Sequence, residues 1–188
     1  MHEFDHAVEC FYTLGADDRI VDCGGPGWGD FARANGAPYL AAAGLRGDSI
    51  YDHVAGHFTQ RFLREFFVAA RAATRPLTRA YRCDSPRVKR QMEMCACVEP
   101  GKRLRVEHRL VSEMAMAVEV APQELWRQSR VEFSRCSICN RLKRLGLGDW
   151  REPDEAGVAG PLRVVHTVCQ GCRSAISTDA PLRLASLE

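Results

Sequence analysis

Arg75-Pro-Leu-Thr-Arg-Ala-Tyr-Arg-Cys83 is the stretch at which the hydrophobic period of this chain changes. Before it, Phe58, Phe62, Phe66 and Ala70 recur at helical spacing, with Leu63, Phe67 and Ala73 beside them. That pattern predicts a long amphipathic helix running to about Thr74. Arg75-Pro76 stops it, because a proline ring disfavours helical backbone in the residue before it. Beyond Pro76 the period is two. Leu77 to Cys83 reads as one strand, and Met92, Met94, Ala96 and Val98 share a face of the next. Pro100-Gly101 makes a turn, after which Leu104, Val106, His108 and Leu110 share a face of a third strand.

Upstream, Phe4, Val8, Phe11 and Tyr12 stand at helical spacing and predict an amphipathic helix over residues 3–14, ended by Gly15. Residues 18–23 read as a short strand, Gly24-Gly-Pro-Gly27 as a turn, and residues 28–33 as a turn or two of helix. Residues 47–53 suggest a helix capped by Asp48 or Ser49. Strands and short helices, one long helix, then three antiparallel strands make an α+β plan with one sheet face covered. Ala121-Pro122 opens a new section, in which residues 123–130 are a candidate linker helix.

Composition narrows the classes. The 188 residues are 46% hydrophobic and 27% charged, which is globular. The 26 cations, mostly arginine, nearly balance 24 anions, so no long electrostatic footprint for DNA or an anionic membrane is present. No secretory signal and no membrane-spanning run is legible, so the chain is expected in the cytoplasm. There, nine reduced cysteines point to metal or redox chemistry rather than disulfides.

Two C-x-x-C pairs, Cys136-Ser-Ile-Cys139 and Cys169-Gln-Gly-Cys172, give that expectation an address. Each turn aims two sulfurs at one point, and together they supply four thiolates for tetrahedral Zn²⁺. Mononuclear iron or an Fe–S cluster is the alternative, since soft thiolates suit these metals equally. His166, three residues before Cys169, is either a neighbour of the thiolates or a replacement for one of them. A module of residues 134–175 has too little core to fold alone, so metal removal is expected to unfold it and leave the sheet intact.

The order of elements resembles a PAS domain, a sensor fold that binds ligands or cofactors. Asp18-Arg-Ile-Val-Asp22, Gly47-Asp-Ser-Ile-Tyr-Asp-His53, and Tyr81-Arg-Cys-Asp-Ser-Pro86 followed by Arg90-Gln-Met92 are similar to a bacterial group of PAS-like proteins. Cys136-Ser-Ile-Cys-Asn-Arg141, Trp150 and His166-Thr-Val-Cys-Gln-Gly-Cys172 resemble cysteine tails that follow PAS or receiver modules, departing from them at Ile138, Asn140 and Gln170. The resemblance implies a PAS-like antiparallel sheet with helices on one face and a small C-terminal zinc-knuckle module. The division is then an N-terminal helix at 1–16, a sensory domain at 17–120, a linker helix at 121–133, the metal module at 134–175 and a tail at 176–188.

Several other residues carry chemistry. Cys83 lies between Arg82 and Asp84, where arginine would stabilise a redox-sensing thiolate; a small buried hydrophobe is the plainer reading. Cys95 and Cys97 share the strand face opposite Met92 and Met94. His53 and His57 stand four apart, and haem PAS sensors use a histidine near the start of the long helix, where His57 lies; Gly56 between the two argues for a helix junction instead. His108 faces the apolar side of its strand, as a core histidine or a ligand contact. No nucleophile motif, phosphate loop or acid–base pair is present, so an enzyme has no residues to rest on. The expectation is a non-catalytic sensory or regulatory protein that holds structural zinc and signals through protein partners, as a homodimer through the N-terminal helix or the sheet. An Fe–S, haem or thiol redox sensor is the first alternative. A nucleic-acid regulator using the module and Arg141-Leu-Lys-Arg144 is the second.

Overall fold

Five antiparallel strands build the larger sheet: β1 Val8–Leu14, β2 Ile20–Gly24, β3 Leu77–Arg82, β4 Val88–Glu99 and β5 Arg103–Ala115. Their order across the sheet is β2-β1-β5-β4-β3. This is a computed structural model, and it describes residues 8–34, 43–124 and 131–174. The helix α1, Trp28–Ala34, follows the turn after β2, and 3-10 turns span Ala43–Leu45 and Ile50–His53. Ser49 caps the second of these, its side chain accepting from the Tyr51 N–H.

The long helix α2, His57–Ala72, lays Phe66, Phe67 and Ala70 on one face of the sheet. There they meet Leu14, Ala96, Leu104 and Val106, all fully buried. The opposite face is polar. Cys95 and Cys97 are half-buried there, across from Glu107 and Arg105, and Glu107 accepts from both Arg105 and Arg109 at 2.9 Å. The period-two reading of the three later strands and the helical reading up to Pro76 therefore both hold.

The helix expected over residues 3–14 is a correction. Val8–Leu14 is β1, paired with β2 on one side and β5 on the other, so it belongs to the body of the sheet. Cys10, Tyr12 and Leu14 alternate into the core, a period of two that the out-of-phase Phe11 disguises. Val, Phe, Tyr and Thr also favour strand over helix. Phe4 and the rest of 1–7 lie outside the described residues, and so does the start of the expected dimer helix.

A second, mixed sheet holds β6 Val120–Glu124, β7 Phe133–Cys136, β8 Leu142–Arg144 and β9 Gly160–Thr167, in the order β6-β9-β7-β8. The strand β9 runs parallel to both β6 and β7, and β7 pairs antiparallel with β8. Val120, Phe133, Leu142, Leu162 and Val164 form its core. A short helix α3, Gln170–Ser174, closes the described chain. The linker helix expected at 123–130 begins on a strand instead, since β6 runs to Glu124; 125–130 and the tail 176–188 lie outside the described residues. Pro122 disguised β6, but a proline is tolerated on an edge strand, where no inward N–H is required.

Candidate functional site

The parallel pairing of β7 and β9 explains how two distant C-x-x-C turns meet. Cys136 ends β7 opposite Thr167 of β9, so both chains leave the sheet at the same end. The first turn closes with Asn140 in the left-handed region at φ 57°, its N–H donating to Cys136 O at 2.9 Å. The second passes from the end of β9 into α3, with the Arg173 N–H donating to Cys169 O at 3.0 Å.

The four sulfurs of Cys136, Cys139, Cys169 and Cys172 lie within 4.8 Å of one another, close enough to hold a metal ion. Cys139 Sγ and Cys169 Sγ are 3.8 Å apart. A tetrahedron with bonds of about 2.3 Å has edges of about 3.8 Å, so the spacing suits a metal at the centre. The Cys169 N–H donates to Cys136 Sγ at 3.4 Å, a contact that favours a thiolate there. Hydrogen bonds from the other three sulfurs pull the Cys136 thiol far down, while the same contacts push Cys139 and Cys172 up. Four thiolates can coexist in this space only around a cation. His166 is not in the cluster of metal-ligating atoms; its Nδ1 lies 3.4 Å from Ser137 Oγ, and the residue lines a cavity.

The cysteine module is not an appendage. Phe62 of α2 is buried among Cys136, Ile138, Val168, Cys169 and Cys172, with Leu63, Tyr81 and Trp150 at the margin. The Arg82 N–H, at the end of β3, donates to Ile138 O at 2.7 Å, and Asn140 Nδ2 returns a bond to Arg82 O at 3.3 Å. Thr59 and Ser137 share a hydroxyl bond of 2.6 Å. Gly56 shows how close the approach is: its φ is 82°, and a Cβ there would sit 2.9 Å from His166 Cβ and 3.1 Å from His166 O. Only glycine fits that junction without strain.

A cluster of ions completes the docking. The buried Arg82 guanidinium grips Asp84 with two bonds and reaches Glu152 in the module. Lys89 Nζ lies 2.8 Å from Asp154 and 3.6 Å from Glu152, and Arg141 Nε donates to Glu152 at 3.0 Å. Burial would raise the Glu152 carboxyl, but Arg82, Arg141 and Lys89 outweigh that and hold it below the usual glutamate range. The Arg-Cys-Asp-Ser-Pro box is thus the hairpin loop between β3 and β4, tied outward to the module. No sequence signal linked Arg82 to Glu152, which lies 70 residues away.

Between the larger sheet, α2 and the module lies a cavity of about 520 Å³. One cross-strand row of the sheet, Arg79, Met94 and His108, forms its floor. Arg135, Ser137 and Ile138 of the module form the opposite wall. The Tyr81 hydroxyl lies 2.7 Å from His108 Nδ1, and burial lowers the His108 pKa to about 4, so a neutral imidazole shares this hydrogen bond with Tyr81. This is the core-histidine reading, with the ring exposed to the cavity.

The other expected residues separate. Cys83 lines the cavity, but burial raises its pKa to about 11; Arg135 and Arg90 oppose this shift, Asp84 adds to it, and Arg82 is committed to Asp84 and Glu152. Burial therefore works against the arginine-stabilised thiolate expected at Cys83 and favours the plainer reading of a small buried side chain. His57 is exposed at the first position of α2 and does not line the cavity, which removes the haem ligand expected there. His53 lines the cavity, its Nε2 3.1 Å from Asp48 Oδ2, and the turn at Gly56 separates it from His57. Of the basic stretch, Arg141 pairs with Glu152 and Arg144 lies over Phe133. Among the described residues, no helix is long and apolar enough to cross a membrane. No family model, curated protein or solved structure matches this chain.

Proposed function

We propose that this protein is a non-catalytic PAS-like sensor or regulator in which a zinc-clasped module forms one wall of the ligand cavity. One observation carries the reading: the cavity is bounded by Arg79, Met94 and His108 of the larger sheet and by Arg135, Ser137 and Ile138 of the module. An occupant in that position touches both units, so its binding free energy depends on how they are docked. The order of strands, short helices, long helix and three further strands supports the PAS-like part of the reading. The four clustered sulfurs support the metal, and zinc is the ion that four thiolates hold without redox chemistry. The output is a change in the docked module, read by a protein partner.

The test is hydrogen exchange on the purified protein with and without a strong chelator, after elemental analysis and a visible spectrum identify the metal. A colourless protein with one zinc per chain is expected, against a coloured one for iron or an Fe–S cluster. On chelation, the β3 amides near Arg82 should lose protection together with residues 134–167, because Arg82 N–H is bonded to Ile138 O. Loss of protection confined to the module would refute the coupling. An intact sheet after metal removal is the opposite outcome, and the contacts of Phe62, Arg82 and Asn140 across the junction argue against it.

A further inference from the structure

The charges around the cavity do not balance. Its lining includes three arginines, Arg79, Arg82 and Arg135, and one carboxylate, Asp84. Asp84 is already occupied, by both arms of Arg82 and by the Arg90 N–H at 3.1 Å. Arg82 also has Glu152. That leaves Arg79 and Arg135. Arg79 is only 8% exposed; its Nη1 donates to Thr78 O at 2.9 Å, while its Nε has no hydrogen-bond partner among the described residues and no carboxylate is bonded to it there. The Arg135 guanidinium lies close enough to Asp84 and Cys83 to feel their charge, but the Asp84 carboxylate is already engaged by Arg82. A guanidinium stays protonated even when burial pulls against it, as it does here.

The rest of the lining is mainly apolar, with Ile50, Val54, Phe62, Leu63, Met94 and Ile138 contributing. A neutral hydrocarbon would fit those walls but would strip water from two cations without replacing it, which is costly. A cation would be repelled. A small inorganic anion would satisfy the arginines and leave the apolar walls empty. The volume, about 520 Å³, falls within the range of small-molecule sites, roughly 300–1,000 Å³.

We propose that the cavity takes a small apolar carboxylate, with its carboxyl group on Arg135 and its hydrocarbon against Phe62, Leu63 and Met94. Arg135 is on β7, directly before the first metal-site cysteine, so the carboxylate would be held by the module and the hydrocarbon by α2 and the sheet. Arg79 supplies the second positive charge from the floor. The inference rests on the cavity being a ligand site, as argued above.

Matched probes test it. Isothermal calorimetry on the metal-loaded protein compares 2-naphthoate with 2-naphthamide, which share a skeleton and differ in charge. The acid should bind about tenfold tighter or more, the scale of a charge-assisted hydrogen bond. Arg135→Gln should bring the two affinities together, with metal content and circular dichroism showing that it folds. Arg79→Gln, remote from the cysteines in sequence, should narrow the gap independently. Equal binding of acid and amide to the unaltered protein would overturn the charge assignment while leaving the sensor reading a ligand site. Binding of neither would overturn this proposal outright. The chelation experiment, which uses no ligand, would still decide the coupling between module and sheet.

Discussion

Phe62→Ala should separate the two units before it unfolds either of them. Phe62 is 3% exposed and is the residue of α2 buried in the cluster formed by Cys136, Cys169 and Cys172. Phe66, one turn later, is fully buried in the other cluster, against the larger sheet. Truncating a buried phenylalanine costs about 3–5 kcal/mol. An independent figure agrees: roughly 150 Å² of ring at about 25 cal/mol per Å² is about 4 kcal/mol. For Phe62 this cost falls on the docking, so undocking becomes more frequent by about 100-fold or more, at about 1.4 kcal/mol per decade. If undocking exposes the metal, its release to a colorimetric chelator accelerates by that factor. Phe66→Ala should cost a similar amount in urea unfolding, yet leave metal release in water nearly unchanged. Trp150 fluorescence, in a background of Trp28→Phe and Trp126→Phe, reports the module cluster alone. Equal acceleration by the two substitutions would refute the argument, because release would then follow global unfolding rather than undocking.

The remaining predictions use the same structure. Glu152→Gln should destabilise by about 2 kcal/mol in denaturant titrations, a value discounted for its partial exposure, because it weakens the bond to a buried Arg82 and the reach of Lys89 and Arg141. Since Glu152 and Asp154 are held below their usual range, their stabilisation is present at neutral pH and is lost as pH falls below about 4; the acid limb of the stability profile should shrink in the variant. His108 acts on another window. Its folded pKa of about 4 lies below the unfolded value, so the unfolded chain binds the extra proton and stability falls as pH drops from about 6.5 to 4. His108→Gln should flatten that slope, by up to about 3 kcal/mol, in the difference between the two proteins' profiles. Iodoacetamide labelling of the folded protein at pH 8 should be little changed by Cys83→Ser, with the half-buried Cys95 and Cys97 modified first.

What the sequence disclosed follows the range of the interactions concerned. The spacing of Phe58, Phe62, Phe66 and Ala70 reports a helix because that pattern is local, and each C-x-x-C reports a chelating turn for the same reason. The β1 strand reads as a helix because Val8, Phe11 and Tyr12 satisfy a helical spacing, and only pairing with β2 and β5 selects the alternation of Cys10, Tyr12 and Leu14. Propensity loses to tertiary context there. The strand β6 was hidden by Pro122 and by its pairing with β9, in which Val120 meets Gly160. The ion cluster on Glu152, the placement of Arg135 in the cavity and the contact of Gly56 with His166 all join segments far apart in the chain. Nothing local distinguishes those residues from solvated charges or an ordinary turn.

The bond from the Arg82 N–H to Ile138 O has a further consequence. The strand β3 is the outermost strand on its side of the larger sheet, and its last backbone groups are taken by Ile138 and by Asn140. Remove the module and that end of the strand is left with unpaired donors and acceptors beside an opened apolar hollow. Such an edge is a template for strand addition by another chain. Metal loss would then do more than loosen a wall: it would uncover the Arg82 end of an edge strand and leave the protein more prone to pair with its own copies. Beyond holding a shape, the four-cysteine clasp would keep neighbouring copies of the protein from coalescing.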